Sequence, residues 1–209
     1  MKCHSPSPTF ARHFFTCTRP APILAALVLA IAGVASWSPS AQAQSTPLPF
    51  DRGVRVEVVA SKPAPIRGGD WDDKLQRITL RVKFSNTNTH QSYEGHTATI
   101  SALGESAVDR GVRAILLQEK IELPLAPLKM HEHACKEVTT KFDKTGAKFG
   151  YAYDGWIIMV KDKAGRIVYI KSTSPTFEKL PEKVEKLQPG KCYNRSLDAV
   201  SAPDSGYTS

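Results

Sequence analysis

The chain has 209 residues, 41% of them hydrophobic and 23% charged, and its formal net charge is +8 at pH 7. Basic and acidic residues alternate, as in EKLPEKVEKL at 178–187, and no dense run of Lys and Arg occurs. We therefore predict no nucleic-acid partner, because phosphate backbones are bound by clustered cationic side chains.

Residues 1–43 have the three-part pattern of a secretory signal peptide. Basic residues precede an apolar block at 23–35, and a polar stretch then ends in the small-x-small motif Ala41-Gln42-Ala43. The block is shorter than the roughly 20 residues that span a bilayer. We predict cleavage after Ala43, a periplasmic or secreted location, and no membrane span after cleavage. The leader contains three basic residues and no acidic one, so its removal lowers the formal net charge from +8 to +5.

Cys135 and Cys192 remain after this cleavage. An even pair of cysteines in an oxidising compartment predicts one disulfide. The bond would stabilise the fold by about 4 kcal/mol by closing a long loop in the unfolded chain. It would also attach the C-terminal segment to the rest of the domain.

Apolar patterns predict a series of short strands. The clearest alternation is Ile78–Phe84, in which one face is apolar and the other polar. Residues 104–112 are predicted to be irregular. The other predicted strands are Val54–Ala60, Tyr93–Leu103, Arg113–Leu123 and Leu128–Phe142.

The stretch 149–174 predicts a β-hairpin. Trp156–Val160 is apolar on both faces, which predicts a central strand covered on two sides. A turn at Asp162–Gly165 leads to a second apolar run, Ile167–Ile170, and we expect Gly165 to take the left-handed conformation.

Within that stretch, Asp154-Gly155 has two interpretations. The pair could form the tight turn of a further hairpin. Alternatively, a bulge at Gly155 shifts the strand face, so that Tyr151 and Tyr153 line up with Trp156 and Ile158. We favour the bulge, because a glycine inside a strand pattern often marks one.

The C-terminal part of the chain predicts one short helix and a tail. The helix is expected over Glu178–Leu187, interrupted early by Pro181. Residues 193–209 are polar and small, which predicts a flexible tail. The domain organisation is then a signal peptide (1–43), a lead-in (44–51), one β-domain (52–192) and the tail.

The alternation at Ile78–Phe84, the run WIIMV at 156–160 and the hairpin turn at 162–165 resemble the strand pattern of immunoglobulin-like and fibronectin type III-like domains. The resemblance covers most of residues 52–175. It implies an all-β antiparallel sandwich with a short C-terminal helix, similar to uncharacterised secreted bacterial proteins of one domain. One departure is that Cys192 lies beyond the last predicted strand, unlike the second cysteine of immunoglobulin domains.

A loop at 68–73 is the first candidate binding site. Asp70, Asp72 and Asp73 surround Trp71. Clustered carboxylates suit calcium, but clustered Asp with Gly is also ordinary turn chemistry, which we favour. Trp71 is a candidate contact residue because loop residues are more often exposed and functional.

Tyr151 and Tyr153 are candidates for an aromatic platform beside Trp71. Such a platform stacks on a sugar ring or contacts a protein partner. The alternative is that both tyrosines belong to the core and its rim.

His131, His133 and Cys135 alternate along a predicted strand and so share one face. Imidazole and thiolate are ligands that transition metals prefer. We nevertheless predict no metal, with His131 and His133 as the weak candidates, because the expected disulfide uses Cys135.

The sequence lacks the signatures of common enzyme sites, including G-x-S-x-G, the P-loop, the dinucleotide-binding glycines and C-x-x-C. We predict an exported, non-catalytic binding or structural module of the cell envelope that recognises a protein partner and needs no cofactor. The first alternative is a carbohydrate-binding module. The second is a metal-dependent enzyme centred on His131 and His133.

Overall fold

The computed structural model describes residues 47–67, 73–146 and 148–203. The predicted signal peptide lies outside them, and its cleavage stays a prediction. Three short helices are described: α1 (Phe50–Gly53), α2 (Pro175–Glu178) and α3 (Pro181–Glu185). The strands are β1 (Val54–Ser61), β2 (Ile66–Arg67), β3 (Lys74–Asn86), β4 (His96–Ser106), β5 (Arg113–Leu123), β6 (Met130–Ala134), β7 (Val138–Asp143), β8 (Phe149–Lys161), β9 (Ile167–Ser172), β10 (Cys192–Tyr193) and β11 (Ala199–Val200).

The strands pair in one continuous antiparallel network. Its order is β1-β3-β7-β8-β4-β5-β10-β11, with β2 and β6 also paired to β3, and β9 paired to β8. The prediction of an all-β antiparallel fold is confirmed. The finer prediction of an immunoglobulin-like arrangement stays a prediction.

The main core lies between the inner faces of β1 and β3 and those of β4 and β8. On β3, alternate residues are buried, as the apolar alternation at Ile78–Phe84 predicts, because successive side chains of a strand point to opposite faces. The partners of this face include Val54, Val56, Ile100, Ile158 and Val160.

Strand β8 is buried on both faces along Ile157–Val160, which confirms the predicted central strand. Ile158 and Val160 face the main core. Ile157 and Met159 face a second core, which is covered by α2, α3 and the C-terminal segment. The continuous apolar run therefore arises because β8 has a packed layer on each side.

The favoured bulge is present, but its extra residue is Asp154, one position before the predicted Gly155. The pairing of β8 with β4 shifts between Leu103, which is opposite Gly155, and Gly104, which is opposite Tyr153. Strand β8 continues through this point, so the alternative of a tight turn is wrong. A Cβ at Gly155 would lie 1.9 Å from Thr173 Oγ1, which explains why the position lacks a side chain.

The predicted hairpin turn at Asp162–Gly165 is confirmed. Gly165 has φ +78°, and its N–H donates to the Asp162 carbonyl at 2.9 Å. The Asp162 carboxylate accepts the backbone N–H groups of Ala164 and Arg166, each at 2.9 Å. The left-handed glycine and this aspartate together close the turn.

The predicted strand Leu128–Phe142 is divided into β6 and β7. Both pair with β3, with Ala134 opposite Arg81 and Val138 opposite Ile78. Three residues on this side therefore face two on β3, and the extra residue interrupts the ladder. Residues 104–112 were predicted to be irregular, but the first three of them form the end of β4, which extends to Ser106.

The C-terminal segment is more ordered than predicted as far as residue 203. The expected single helix is two one-turn helices, because Pro181 starts α3. The expected flexible tail from residue 193 contains β11, and Leu197 is buried in the second core. Leu197 keeps φ +59°, a strained conformation for leucine that its packing maintains. No helix of the described ranges is long and apolar enough to cross a membrane.

We expect Gly155→Ala to lower the free energy of unfolding by about 2–4 kcal/mol, because the new methyl overpacks against Thr173 and breaks its hydrogen bond with Trp156 N. The control is Gly165→Ala, where nothing lies within 4 Å of the added Cβ. Backbone strain alone should cost about 1 kcal/mol there. Urea unfolding of both variants measures the difference, and equal losses would contradict the crowding at Gly155.

Candidate functional site

The predicted acidic loop lies between β2 and β3. Asp70, Trp71 and Asp72 fall outside the described residues, so their roles stay predictions. Asp73 is buried, and its Oδ2 lies 2.6 Å from Lys141 Nζ on β7. The one described carboxylate of the predicted calcium loop is therefore already paired with a cation.

Tyr151 and Tyr153 do not form an exposed platform. Tyr151 is half-buried, and its hydroxyl lies 3.0 Å from Cys192 Sγ. Tyr153 packs against the main core, with Lys62 Nζ 5.6 Å from its ring centre. Burial, with a smaller effect of the Asp154 charge, raises the pKa of Tyr153 to about 12. Stacking on a sugar would require both rings to leave these contacts.

The predicted disulfide between Cys135 and Cys192 is wrong, because both thiols are free and buried. Cys192 lies opposite Ala114 at the start of β5, whereas the Cys135 sulfur lies within 4.8 Å of the Glu119 carboxylate. Ala114 and Glu119 are about 17 Å apart along an extended strand. A disulfide needs Cα atoms within about 7 Å, so the fold keeps the two thiols apart.

Cys135 instead belongs to a cluster with Glu119 and His133. The three possible ligand atoms all lie within 4.8 Å of one another. His133 Nε2 donates to Glu119 Oε2 at 2.7 Å, and Lys136 N donates to Glu119 Oε1 at 2.9 Å. Strand β6 and the residue after it supply His133 and Cys135, and β5 supplies Glu119. The cluster thus joins two strands that do not pair with each other.

The electrostatics of this cluster leave the thiol protonated at neutral pH. Burial, with a smaller effect of the Glu119 charge, raises the pKa of Cys135 to about 12. Burial also acts to raise the pKa of Glu119, but hydrogen bonds from His133 and Lys136, together with their charges, lower it overall. A cysteine nucleophile needs a lowered pKa, so this arrangement lacks the activation that thiol catalysis requires.

The cluster differs in one member from the predicted group of His131, His133 and Cys135. His133 and Cys135 come together as their alternation predicts, but His131 is not part of the group. Glu119 takes its place, and sequence reasoning missed it. A strand pattern shows which residues of β5 share a face, but it does not show which of them lies beside another strand.

A second candidate site is a groove of about 520 Å³ between β1 and β9. Each of these strands pairs with one neighbour within the described residues, β1 with β3 and β9 with β8. Trp156 and Tyr169 contribute aromatic surface to the groove, and Lys171 crosses it. Its remaining lining comes from Asp51 and from Val54–Val58.

The outer edge of β1 carries backbone groups that no other strand of the described ranges satisfies. The Gly53 carbonyl accepts Thr87 N at 2.9 Å, so it points toward the β3 side. Because backbone direction alternates along a strand, the even-numbered residues of Val54–Ala60 point their N–H and C=O groups away from β3. This edge lies next to the groove.

Only part of that edge is covered. The Val56 carbonyl accepts Lys171 Nζ at 3.3 Å. The outward groups of Val58 and Ala60 have no hydrogen-bond partner among the described residues. Beside them, Val59 is 63% exposed. An open strand edge of this kind is a template for pairing with another chain.

Comparisons with known proteins yield no family. No family model matches the chain, and no curated protein matches it. A crystal structure from Akkermansia muciniphila is similar over 64% of this chain and 77% of its own, with 14% identity and a TM-score of 0.30. An X-ray structure of a Northeast Structural Genomics Consortium target covers 60% of this chain and 90% of its own, with 12% identity and a TM-score of 0.30. Neither likeness is close enough to transfer a ligand or an activity.

We expect both thiols of the purified chain without its leader, residues 44–209, to react after unfolding without any reductant. Denaturation in the presence of iodoacetamide should add one carbamidomethyl group each to Cys135 and Cys192, measured by mass spectrometry of peptides. In the folded protein both should react slowly, because they are buried. A peptide containing Cys135 bonded to Cys192 would contradict the structure.

Proposed function

We propose that the chain is an exported, non-catalytic binding module of the cell envelope that recognises an extended segment of a partner protein. The observation that carries the proposal is the open outer edge of β1 beside the groove. Strand addition to such an edge gives affinity through main-chain hydrogen bonds and specificity through pockets for alternate side chains.

The outward groups of Val58 and Ala60 supply the main-chain part of this recognition. An added antiparallel strand would pair with both residues, and each residue offers one donor and one acceptor. In the free protein these groups are hydrated, so binding exchanges water for a partner strand and gains modest net energy per bond. Affinity must therefore also come from side chains.

The groove supplies that second part. Alternate side chains of an added strand would point toward Trp156 and Tyr169, whose rings bury large apolar areas. The groove is lined by both acidic and basic side chains, so a partner segment that carries residues of both charges suits it. These side chains are Asp51, Arg55, Glu57 and Lys171. The acidic loop around Trp71 is a second proposed contact region.

Two features of the sequence support the cellular part of the proposal. The leader pattern at 1–43 is that of an exported protein. The strand pattern also resembles that of immunoglobulin-like sandwiches, a fold that many cell-surface proteins share. Without the disulfide, the two cysteines add no further support for export.

We expect Val58→Pro to abolish capture of the partner and leave the fold intact. Proline removes the outward N–H of Val58 and no bond of the β1–β3 ladder. The matched control is Val58→Ala, which keeps the N–H and should still capture the partner. A photo-crosslinking amino acid at Val59, used in the native host, identifies the captured protein, and thermal unfolding verifies the fold of each variant.

Ala60→Pro repeats the test at the next outward position, in case Val58→Pro does not fold. A discrete crosslinked protein that is lost with either proline and kept with Val58→Ala supports strand addition. Equal capture by all variants contradicts it. Loss with Trp71→Ala but not with the prolines would assign binding to the acidic loop and overturn the role of the β1 edge.

We expect the full-length chain to be processed to residues 44–209 when it is expressed in a bacterium with an intact secretion system. N-terminal sequencing and the intact mass measure the cleavage. Ala43→Leu should leave the precursor uncut, because the cleavage motif requires a small residue there. An Ala41-Gln42-Ala43 segment that stays in the wild-type product would contradict the proposed leader.

A further inference from the structure

We propose that Glu119, His133 and Cys135 form a binding site for a divalent transition metal of the Zn²⁺ type. This site is separate from the β1 edge and is not required for the function proposed above. It concerns β5 and β6, which have no residue in the groove.

The donor set selects the class of metal. One sulfur, one imidazole nitrogen and one carboxylate oxygen converge from two strands. Calcium and magnesium require oxygen ligands, whereas thiolate and imidazole suit Zn²⁺ and its neighbours in the first transition series. Three protein ligands with a fourth position for water make a known type of tetrahedral zinc site.

The distances need only side-chain adjustment. All three donor atoms lie within 4.8 Å of one another. Zinc–ligand bonds of about 2.0–2.3 Å in a tetrahedron place donors roughly 3.3–3.8 Å apart. The 2.7 Å contact between His133 Nε2 and Glu119 Oε2 would lengthen to that range, and the sulfur would move inward.

The backbone around the ligands is held in place. Cys135 N donates to the Leu80 carbonyl at 2.8 Å, which keeps the residue beside β3. Lys136 N donates to Glu119 Oε1 at 2.9 Å and leaves Oε2 directed at the cluster. Hydrogen bonds that orient a ligand in this way are typical supports of metal sites.

Charge and access both fit a divalent cation. The thiol loses its proton to solvent as the sulfur–metal bond forms. The proton on His133 Nε2 moves through solvent to Nδ1, so that a neutral imidazole binds through Nε2. Thiolate and carboxylate together then balance the two positive charges. A neutral assembly can remain buried where an unpaired ion could not. The side chains of His133 and Glu119 are 26% and 16% exposed, which gives a hydrated ion a path to the buried sulfur.

The chain contains its own matched control. Cys192 is as buried as Cys135, at 6% against 5% exposure. Its sulfur lies 3.0 Å from the hydroxyl oxygen of Tyr151. The group of three ligands contains no atom of Cys192. If a metal ion bound any buried thiol, it would bind the sulfurs of Cys135 and Cys192 equally. If it requires the three-ligand site, it binds only the sulfur of Cys135.

The test is titration of the metal-free, reduced protein with Co²⁺ under anaerobic conditions. We expect one equivalent to give a sulfur-to-cobalt charge-transfer absorption and the intense visible bands of tetrahedral Co²⁺, with bleaching on addition of Zn²⁺. Cys135→Ser should lose the charge-transfer absorption, and Cys192→Ser should keep it. Glu119→Gln and His133→Ala should each weaken binding by about tenfold or more, and His131→Ala should not.

Glu119→Gln keeps the proposal testable if the buried Cys135→Ser variant does not fold, because the partly exposed Glu119 side chain tolerates an isosteric change. Zn²⁺ should raise the unfolding temperature of the parent and of Cys192→Ser, and not that of Glu119→Gln. The proposal is overturned if the parent binds no Co²⁺, if the sulfur absorption is lost equally from both cysteine variants, or if His131→Ala removes it and His133→Ala does not.

Discussion

The burial of both faces of β8 is the constraint on which the rest of the structure depends. Because Ile158 and Val160 face one core and Ile157 and Met159 face another, β8 needs a packed layer on each side. Strands β1 and β3 contribute to the first layer, and helices α2 and α3 with the C-terminal segment make the second. The ordered C-terminal residues are therefore a requirement of β8 and not an appendage.

This arrangement brings strand edges from different parts of the network together at two places, and the chemistry differs between them. Glu119 and His133 join β5 to β6 with a short polar contact and a thiol behind it. Lys171 joins β9 to β1 across an open groove. At the contact of β5 with β6, three donor atoms converge, which suits a metal ion. At the β1 edge, backbone N–H and C=O groups lie in a row, which suits an extended polypeptide segment.

Much of the fold could be predicted from the sequence, because most of its elements have a cause in the pattern of neighbouring residues. The alternation in β3, the two-sided run in β8, the glycine turn at Gly165 and the bulge beside Gly155 each have a short-range cause. The division of 128–142 into two strands was missed, because the extra residue is visible only against its partner strand. The tail was missed because one leucine among polar residues carries no periodicity.

The candidate sites were less predictable for the same reason. The pairing of His133 with Cys135 followed from strand alternation. Their contact with Glu119 and the separation of Cys135 from Cys192 depend on which strands lie side by side. Counting cysteines predicted a bond that the three-dimensional separation forbids. The open edge of β1 is likewise a property of topology, since no sequence pattern states which strand lacks a second neighbour.

Lys171 also influences how copies of the molecule meet. If two copies paired through antiparallel β1 edges, the Lys171 ammonium groups of both copies would lie in the interface. Each would lose its hydrogen bond to the Val56 carbonyl. Two ammonium groups close together in an interface repel each other. A lysine at a strand edge is therefore a common protection against self-association. A foreign strand that carried a carboxylate at this position would instead neutralise the ammonium, so one side chain favours a different chain over a second copy.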